Sequence, residues 1–186
     1  MILLIFIFVN LFFIFFFVIR QKKSKYHRSN SIHPTAIIYP NVTIGRNNVI
    51  GAYSVIGSNG EMRGVNQDDF MGQVIIGDNN VISEHVTIQR PFEVGKYTII
   101  GSDNIIMAHS HIGHDVEISD SCEICTGVIV GGYAKIQQGA KIKLGVTIRN
   151  RKTIGAFSLV GLGSAVVSDV LQHAVVYGNP AKGHQK

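Results

Sequence analysis

The sequence predicts an all-β solenoid of parallel strands behind an N-terminal hydrophobic helix. Three observations point there. An Ile or Val recurs at every sixth residue through most of the chain, glycine commonly follows it, and the first nineteen residues contain one polar side chain.

The N-terminal element comes first. "MILLIFIFVNLFFIFFFVI" is interrupted only by Asn10. As a helix it would be about 28 Å long, close to the hydrocarbon thickness of a bilayer. No basic region precedes it and no small-residue cleavage site follows, so it does not read as a secretory signal. Residues 1–20 are therefore expected to form a hydrophobic membrane-anchor helix, and residues 21–31 a basic linker. Basic residues follow the apolar run, which by the positive-inside rule leaves the rest of the chain in the cytoplasm. The expected placement is membrane-anchored with a cytoplasmic catalytic domain.

The charge balance excludes one class of partner. The net charge is +5, but "RQKKSKYHR" at residues 20–28 holds five of the seventeen Lys and Arg. The remaining twelve equal the twelve Asp and Glu. No basic stripe with interleaved aromatics is left, so nucleic acid is not an expected partner.

The solenoid follows from the repeat. Ile32, Ile38, Ile44, Ile50 and Ile56 are spaced by six. The row resumes at Ile76 and runs through Ile82, Ile88, Val94, Ile100, Ile106, Ile112, Ile118 and Ile124. It continues through Val130, Ile136, Ile142, Ile148, Ile154, Val160 and Val166. Neither helical spacing nor simple strand alternation produces such a row. Glycine follows the aliphatic at Gly45, Gly51, Gly101, Gly113 and Gly131, among others, as a sharp corner after a short strand would require. Four places after the aliphatic the residue is usually small or β-branched, as at Val42, Ser54, Val86 and Ala134. Six residues per side wrap the chain into three-sided coils of eighteen, stacked at the strand spacing of about 4.8 Å. The solenoid is expected over 32–171, with an inserted loop at 57–75 and a tail at 172–186.

Two groups of reactive side chains stand out. Cys122 and Cys125 form a single C-x-x-C pair with no second pair to complete a zinc site, so they read as reduced packing residues. "MAHSHIGHDVEI" at 107–118 gathers His109, His111 and His114, with Asp115 after the last. With the key Ile as position one, His109 takes position four, His111 position six and His114 position three. None is an inward position, so all three are expected on or near the outer surface. Eighteen residues beyond His114 lies Gly132, in "VGGYAK", and thirty-six beyond lies Asn150. A histidine base one coil from a Gly-Gly pair with approachable backbone N–H is a constellation suited to acyl transfer.

The hexad row resembles the hexapeptide-repeat acyltransferases, whose fold is a left-handed parallel β-helix. The left hand comes from that resemblance, against the usual right-handed crossover preference. More finely, three stretches resemble the UDP-N-acetylglucosamine O-acyltransferases of lipid A and lipopolysaccharide synthesis. They are "GVNQDDF" in the inserted loop, "VIIGDNNVISEHVTIQR" at 74–90 and "IIGSDNIIMAHSHIGHD" at 99–115.

By position, the resemblance implies His114 as general base, Asp115 as its carboxylate partner and Gly132 as donor of the oxyanion N–H. It implies that Gln67 and Asp68 contact the sugar, that His111 helps hold the acceptor or acyl chain, and that Tyr133 and Asn150 complete substrate binding. An imidazole suits the role because its ordinary pKa of about 6.5 lies near working pH. No bound cofactor and no metal ligand are implied. The co-substrate would be an acyl thioester, carried by coenzyme A or acyl carrier protein, and the acceptor a hydroxyl or amine of a UDP-sugar or related sugar. The implied assembly is a homotrimer.

The chain departs from that pattern at Phe70, where the resemblance would place a lysine, at Tyr133, in place of a histidine, and at Arg149 and Asn150, in place of a His-Gln pair. It ends on "YGNPAKGHQK", without the helical domain that helps receive acyl carrier protein. That ending resembles smaller sugar acetyltransferases, in which a Pro-Ala-Lys stretch lies near coenzyme A. Two other readings stand beside acyl transfer. One is a γ-type carbonic anhydrase-like metalloenzyme using His109, His114 and His85 of a neighbouring chain. The other is an inactive membrane-tethered scaffold.

Overall fold

A computed structural model describes residues 26–61, 64 and 72–183. The expected helix at 1–20 and the loop residues Gln67, Asp68 and Phe70 lie outside the described residues.

The key aliphatics line the inside of a three-sided parallel β-solenoid. Most strands are only two residues long, such as Val81–Ile82 and Ile105–Ile106, with the first side chain outward and the second inward. A strand so short has no stability alone; each is held by pairing with the coils before and after it. Ile112 pairs in register with Ile88 on one side and Val130 on the other. Repetition produces three sheets of nine, seven and six strands. The first begins at Ser31–Ile32, the second at Ile37–Ile38 and the third at Val42–Ile44. All pairings are parallel except the last, where Val175–Tyr177 meets Lys182–Gly183 antiparallel.

Eighteen of the twenty-one key positions are buried, and Ile32 and Ile38 pack half-buried at the first coil. The exception is Val94, which is 80% exposed. Ile88 and Ile100 stand in neighbouring strands although twelve residues separate them, where six is the rule. An extra segment of one hexad bulges outward between Arg90 and Tyr97, preserving the phase of the row while carrying Val94 into solvent.

The corner chemistry differs from the expected one. The left-handed backbone conformation falls at position four of the hexad, and side chains other than glycine often occupy it: Asn47, Tyr53, Asp103, Asp115, Tyr133 and Arg151 all have φ between 58° and 63°. The glycine after the key aliphatic serves close approach of coils instead. A Cβ on Gly51 would stand 2.6 Å from the Ser83 carbonyl carbon, closer than atoms pack.

Along one inner corner, position five carries asparagine. Asn48, Asn80 and Asn104 are fully buried, and each accepts with its side-chain oxygen the N–H of the residue one coil on. Buried amides tolerate this place because the ladder satisfies the backbone across coils. It stops at Cys122, whose N–H donates to Asn104 at 2.7 Å. Cys122 and Cys125 are free and buried, and burial pushes the Cys122 thiol up to about 11.

Two expectations about the ends change. Among the described residues there is no α-helix, and no helix is long and apolar enough to cross a membrane, which overturns the expected membrane-anchored, cytoplasmic placement. That expectation rested on the apolar run at 1–20, which lies outside the described residues, and on the basic residues that follow it. At the other end, the first sheet continues into Val175–Tyr177, past the tail boundary expected at 172. The Pro-Ala-Lys stretch folds back on that strand, with Ala181 donating to the Ala165 carbonyl at 2.8 Å and packing against the core.

Candidate active site

His114 sits on the corner between the second and third sheets, between strands His111–Ile112 and Glu117–Ile118. Gly113 lets this coil close on the next, since a Cβ there would stand 2.8 Å from the Gly132 nitrogen. Asp115 follows in the left-handed conformation, φ 59°, and folds its carboxylate back onto the histidine. His114 Nδ1–H donates to Asp115 Oδ2 at 2.8 Å. A carboxylate only accepts, so the neutral imidazole carries its proton on Nδ1 and presents Nε2 as a base. Both side chains are 11% exposed, so His114, expected on or near the outer surface from its hexad position, is nearly enclosed by its neighbours.

The backbone that carries the carboxylate is itself anchored. Asp115 N–H donates to Thr98 Oγ1 at 2.9 Å, and the Thr98 hydroxyl donates to the Gln89 carbonyl at 2.8 Å. Thr98 is fully buried. Sequence reasoning did not find this support because it carried the eighteen-residue arithmetic forward from His114 to Gly132 and not back from Asp115, where the register between the two coils holds and leads to the strand of Thr98.

The next coil closes the other side of the imidazole. A Cβ built on Gly132 would lie 2.8 Å from His114 Nε2 and Cε1, so only glycine leaves the ring in place. The Gly131 N–H donates to Ile148 O and the Tyr133 N–H to His114 O. Between them, the Gly132 N–H has no acceptor among the described residues. Tyr133 meets the imidazole edge-to-face, with centroids 5.0 Å apart at 88°. One coil further, the Arg151 guanidinium lies over the Tyr133 ring, 4.1 Å from its centroid. Stacking arithmetic carried one step on from Tyr133 would have found Arg151.

Tyr133 and Asp115 border a groove of about 720 Å³ on the third sheet, whose wall also includes Lys96, Lys135 and Arg151. Lys135 is paired with Glu117 at 3.1 Å. Burial pushes the Tyr133 phenol above its ordinary value, the Asp115 charge adds to that rise, and Arg151 opposes it. On the second sheet, His111 borders a cavity of about 410 Å³ with Tyr39, Glu61 and Gln89. Its Nδ1 is bonded to Thr87 Oγ1 at 2.7 Å. Burial holds the His111 imidazole below its ordinary value, Glu61 opposes this, and nearby His114 adds to it.

The remaining expected residues fall apart from this cluster. His109 is exposed on another corner and stacks on His85, centroids 4.8 Å apart, with Tyr53 stacked on the far side of His85. The structure therefore does not join His109 to His114. Asn150 is exposed, and its backbone nitrogen would stand 2.7 Å from a Cβ on Gly131, so it packs beneath Gly131 rather than beside the imidazole.

Repeat and corner define a class of protein. The family model described as bacterial transferase hexapeptide (six repeats) matches residues 27–58. Particular relatives refine the likeness. The acyl-[acyl-carrier-protein]–UDP-N-acetylglucosamine O-acyltransferase of Pseudomonas aeruginosa is 36% identical over 111 residues, 59% of this chain and 43% of that protein. The chain thus spans less than half the length of this curated relative. A UDP-N-acetylglucosamine acyltransferase from Bacteroides fragilis superposes with a TM-score of 0.79 at 26% identity, over 84% of this chain and 60% of that one. The corresponding Francisella novicida enzyme gives a TM-score of 0.66 at 28% identity, over 85% and 66%. The resemblance read from the hexads and "HIGHD" is borne out.

Proposed function

We propose that this chain is an acyltransferase that moves an acyl group from a thioester to a hydroxyl or amine of a sugar nucleotide. One observation carries the reading: His114 is oriented by Asp115 and presents Nε2 against Gly132, whose N–H has no acceptor among the described residues. The acceptor hydroxyl or amine loses its proton to Nε2 as its oxygen or nitrogen attacks the thioester carbonyl. Negative charge then develops on the carbonyl oxygen, where the Gly132 N–H is the fixed donor. The tetrahedral centre collapses, the C–S bond breaks, and the imidazolium returns the proton to the departing thiolate. Asp115 stabilises the imidazolium while it lasts.

His111, Tyr133 and Asn150 are assigned to substrate, with Gln67 and Asp68 contributing from the inserted loop. Coenzyme A or acyl carrier protein is the donor's carrier, the coil is left-handed, and the protein assembles as a homotrimer. The likeness to UDP-N-acetylglucosamine acyltransferases supports UDP-N-acetylglucosamine as the first acceptor to try. The test is mass spectrometry of products from a panel of UDP-sugars, offered with acetyl-CoA and with acyl carrier protein thioesters. An acylated sugar nucleotide that disappears with His114→Ala is the expected result. No acylated product from any pairing, or one undiminished by that substitution, overturns the proposal.

A further inference from the structure

Arg151 has no role in the reaction as described, yet it ends a chain of contacts that leads to the proposed base. Its N–H donates to the Gly132 carbonyl at 3.0 Å, and its guanidinium lies 4.1 Å over the Tyr133 ring. Tyr133 in turn meets His114 edge-to-face, and its N–H donates to the His114 carbonyl at 3.0 Å. Backbone and side-chain contacts thus run in parallel from Arg151 to the imidazole. The Asp115 bond fixes one atom of that imidazole, Nδ1. A ring held at one atom can still swing about the bond; a neighbour against its side removes that freedom.

We infer that Arg151 is a positioning residue: its planar guanidinium holds the Tyr133 ring, and that ring holds the His114 imidazole with Nε2 against Gly132. The inference rests on the reading of His114 as the base. Planarity is the operative property, because a flat, weakly hydrated cation stacks on an aromatic face and an ammonium is a compact, strongly hydrated one. Of the two lysines in the groove wall, Lys96 and Lys135, Lys135 is turned to Glu117 instead.

The competing role for Arg151 is direct contact with an anionic group of the substrate, since it also borders the groove. The two separate kinetically. A positioning role places the loss in kcat, because misplaced reacting atoms slow the step itself. A substrate contact raises KM at unchanged kcat.

The experiment uses the full chain as wild type, Arg151→Lys, Tyr133→Leu, the double variant and His114→Ala. Kinetics are run with UDP-N-acetylglucosamine and the thioester that wild type turns over. The His114 ring signal is followed in parallel by NMR of protein labelled at histidine Cε1, assigned by its loss in His114→Ala. The expected result is a fall of roughly three- to tenfold in kcat for Arg151→Lys at nearly unchanged KM. The His114 ring signal should shift, and the Arg151→Lys effect should shrink below about twofold in the Tyr133→Leu background. Wild-type kcat with an unmoved His114 signal overturns the inference, as does a rise confined to KM. Full turnover in His114→Ala overturns the reading of the base and this inference together. Loss in His114→Ala beside an unaffected Arg151→Lys overturns this inference alone.

Discussion

Gly132→Ala is the sharpest steric probe of the proposed site. Gly132 does not have a positive φ, so alanine imposes no backbone strain at this position. The only new atom is Cβ, which would stand 2.8 Å from His114 Nε2, 2.8 Å from Cε1 and 3.2 Å from Cδ2. Ordinary van der Waals contact begins near 3.5 Å, so the imidazole must retreat by roughly 0.5–1 Å. Retreat stretches or breaks the 2.8 Å bond from Nδ1 to Asp115 and carries Nε2 away from the reacting atoms. Overpacking of this kind costs about 1–3 kcal/mol in stability. A displacement near 1 Å at a base costs on the order of 10²-fold in turnover. The assay is steady-state turnover beside thermal unfolding, so that folded but slow protein is recognised. Gly131→Ala is the contrasting variant, because its Cβ would meet Asn150 N at 2.7 Å and Ile148 O at 2.9 Å, both backbone. That clash disrupts coil stacking rather than the imidazole alone. A folded Gly132→Ala protein with wild-type turnover would refute the reasoning.

Thr98→Val removes the hydroxyl that accepts the Asp115 N–H; turnover should drop about three- to thirtyfold with stability reduced by about 1–3 kcal/mol, checked by kinetics and urea unfolding. Ile112→Ala opens a cavity between Ile88 and Val130 and should cost about 2–5 kcal/mol by the same unfolding measurement. His111 titrates below the ordinary histidine range when folded, so the unfolded chain binds more protons as pH falls. Its contribution to stability is complete above about pH 6.5 and is lost as pH drops toward the lowered folded value. Urea midpoints at about pH 7.5 and pH 5 should therefore converge in His111→Gln relative to wild type, and an unchanged pH slope would contradict the assignment.

The fold was legible because an inward position in a narrow coil accepts only side chains of Ile or Val size. The error at Val94 has the same origin: an added segment of one full hexad preserves the phase, and only pairing between Ile76 and Ile100 reveals that a side was skipped. Glycine after the key aliphatic was read as a corner device, but its cause is contact with the next coil, a relation between residues eighteen or more apart. His114 was placed near the surface for a similar reason. Its burial comes from Gly132 and Tyr133 on the following coil, which hexad position cannot express. Eighteen-residue arithmetic did bring Gly132 beside His114, because no insertion interrupts the chain between them. The same register holds between the coils of Thr98 and Asp115, and Thr98 was missed because the arithmetic was carried only toward later coils.

The most direct measurement is turnover of His114→Ala and His109→Ala, each against wild type, with and without a chelator. The account predicts a loss on the order of 10²–10⁴ for His114→Ala in folded protein and less than about twofold for His109→Ala, which stacks on His85 away from the base. Chelator should leave wild-type turnover unchanged. Equal losses from the two substitutions, together with abolition by chelator, would contradict it.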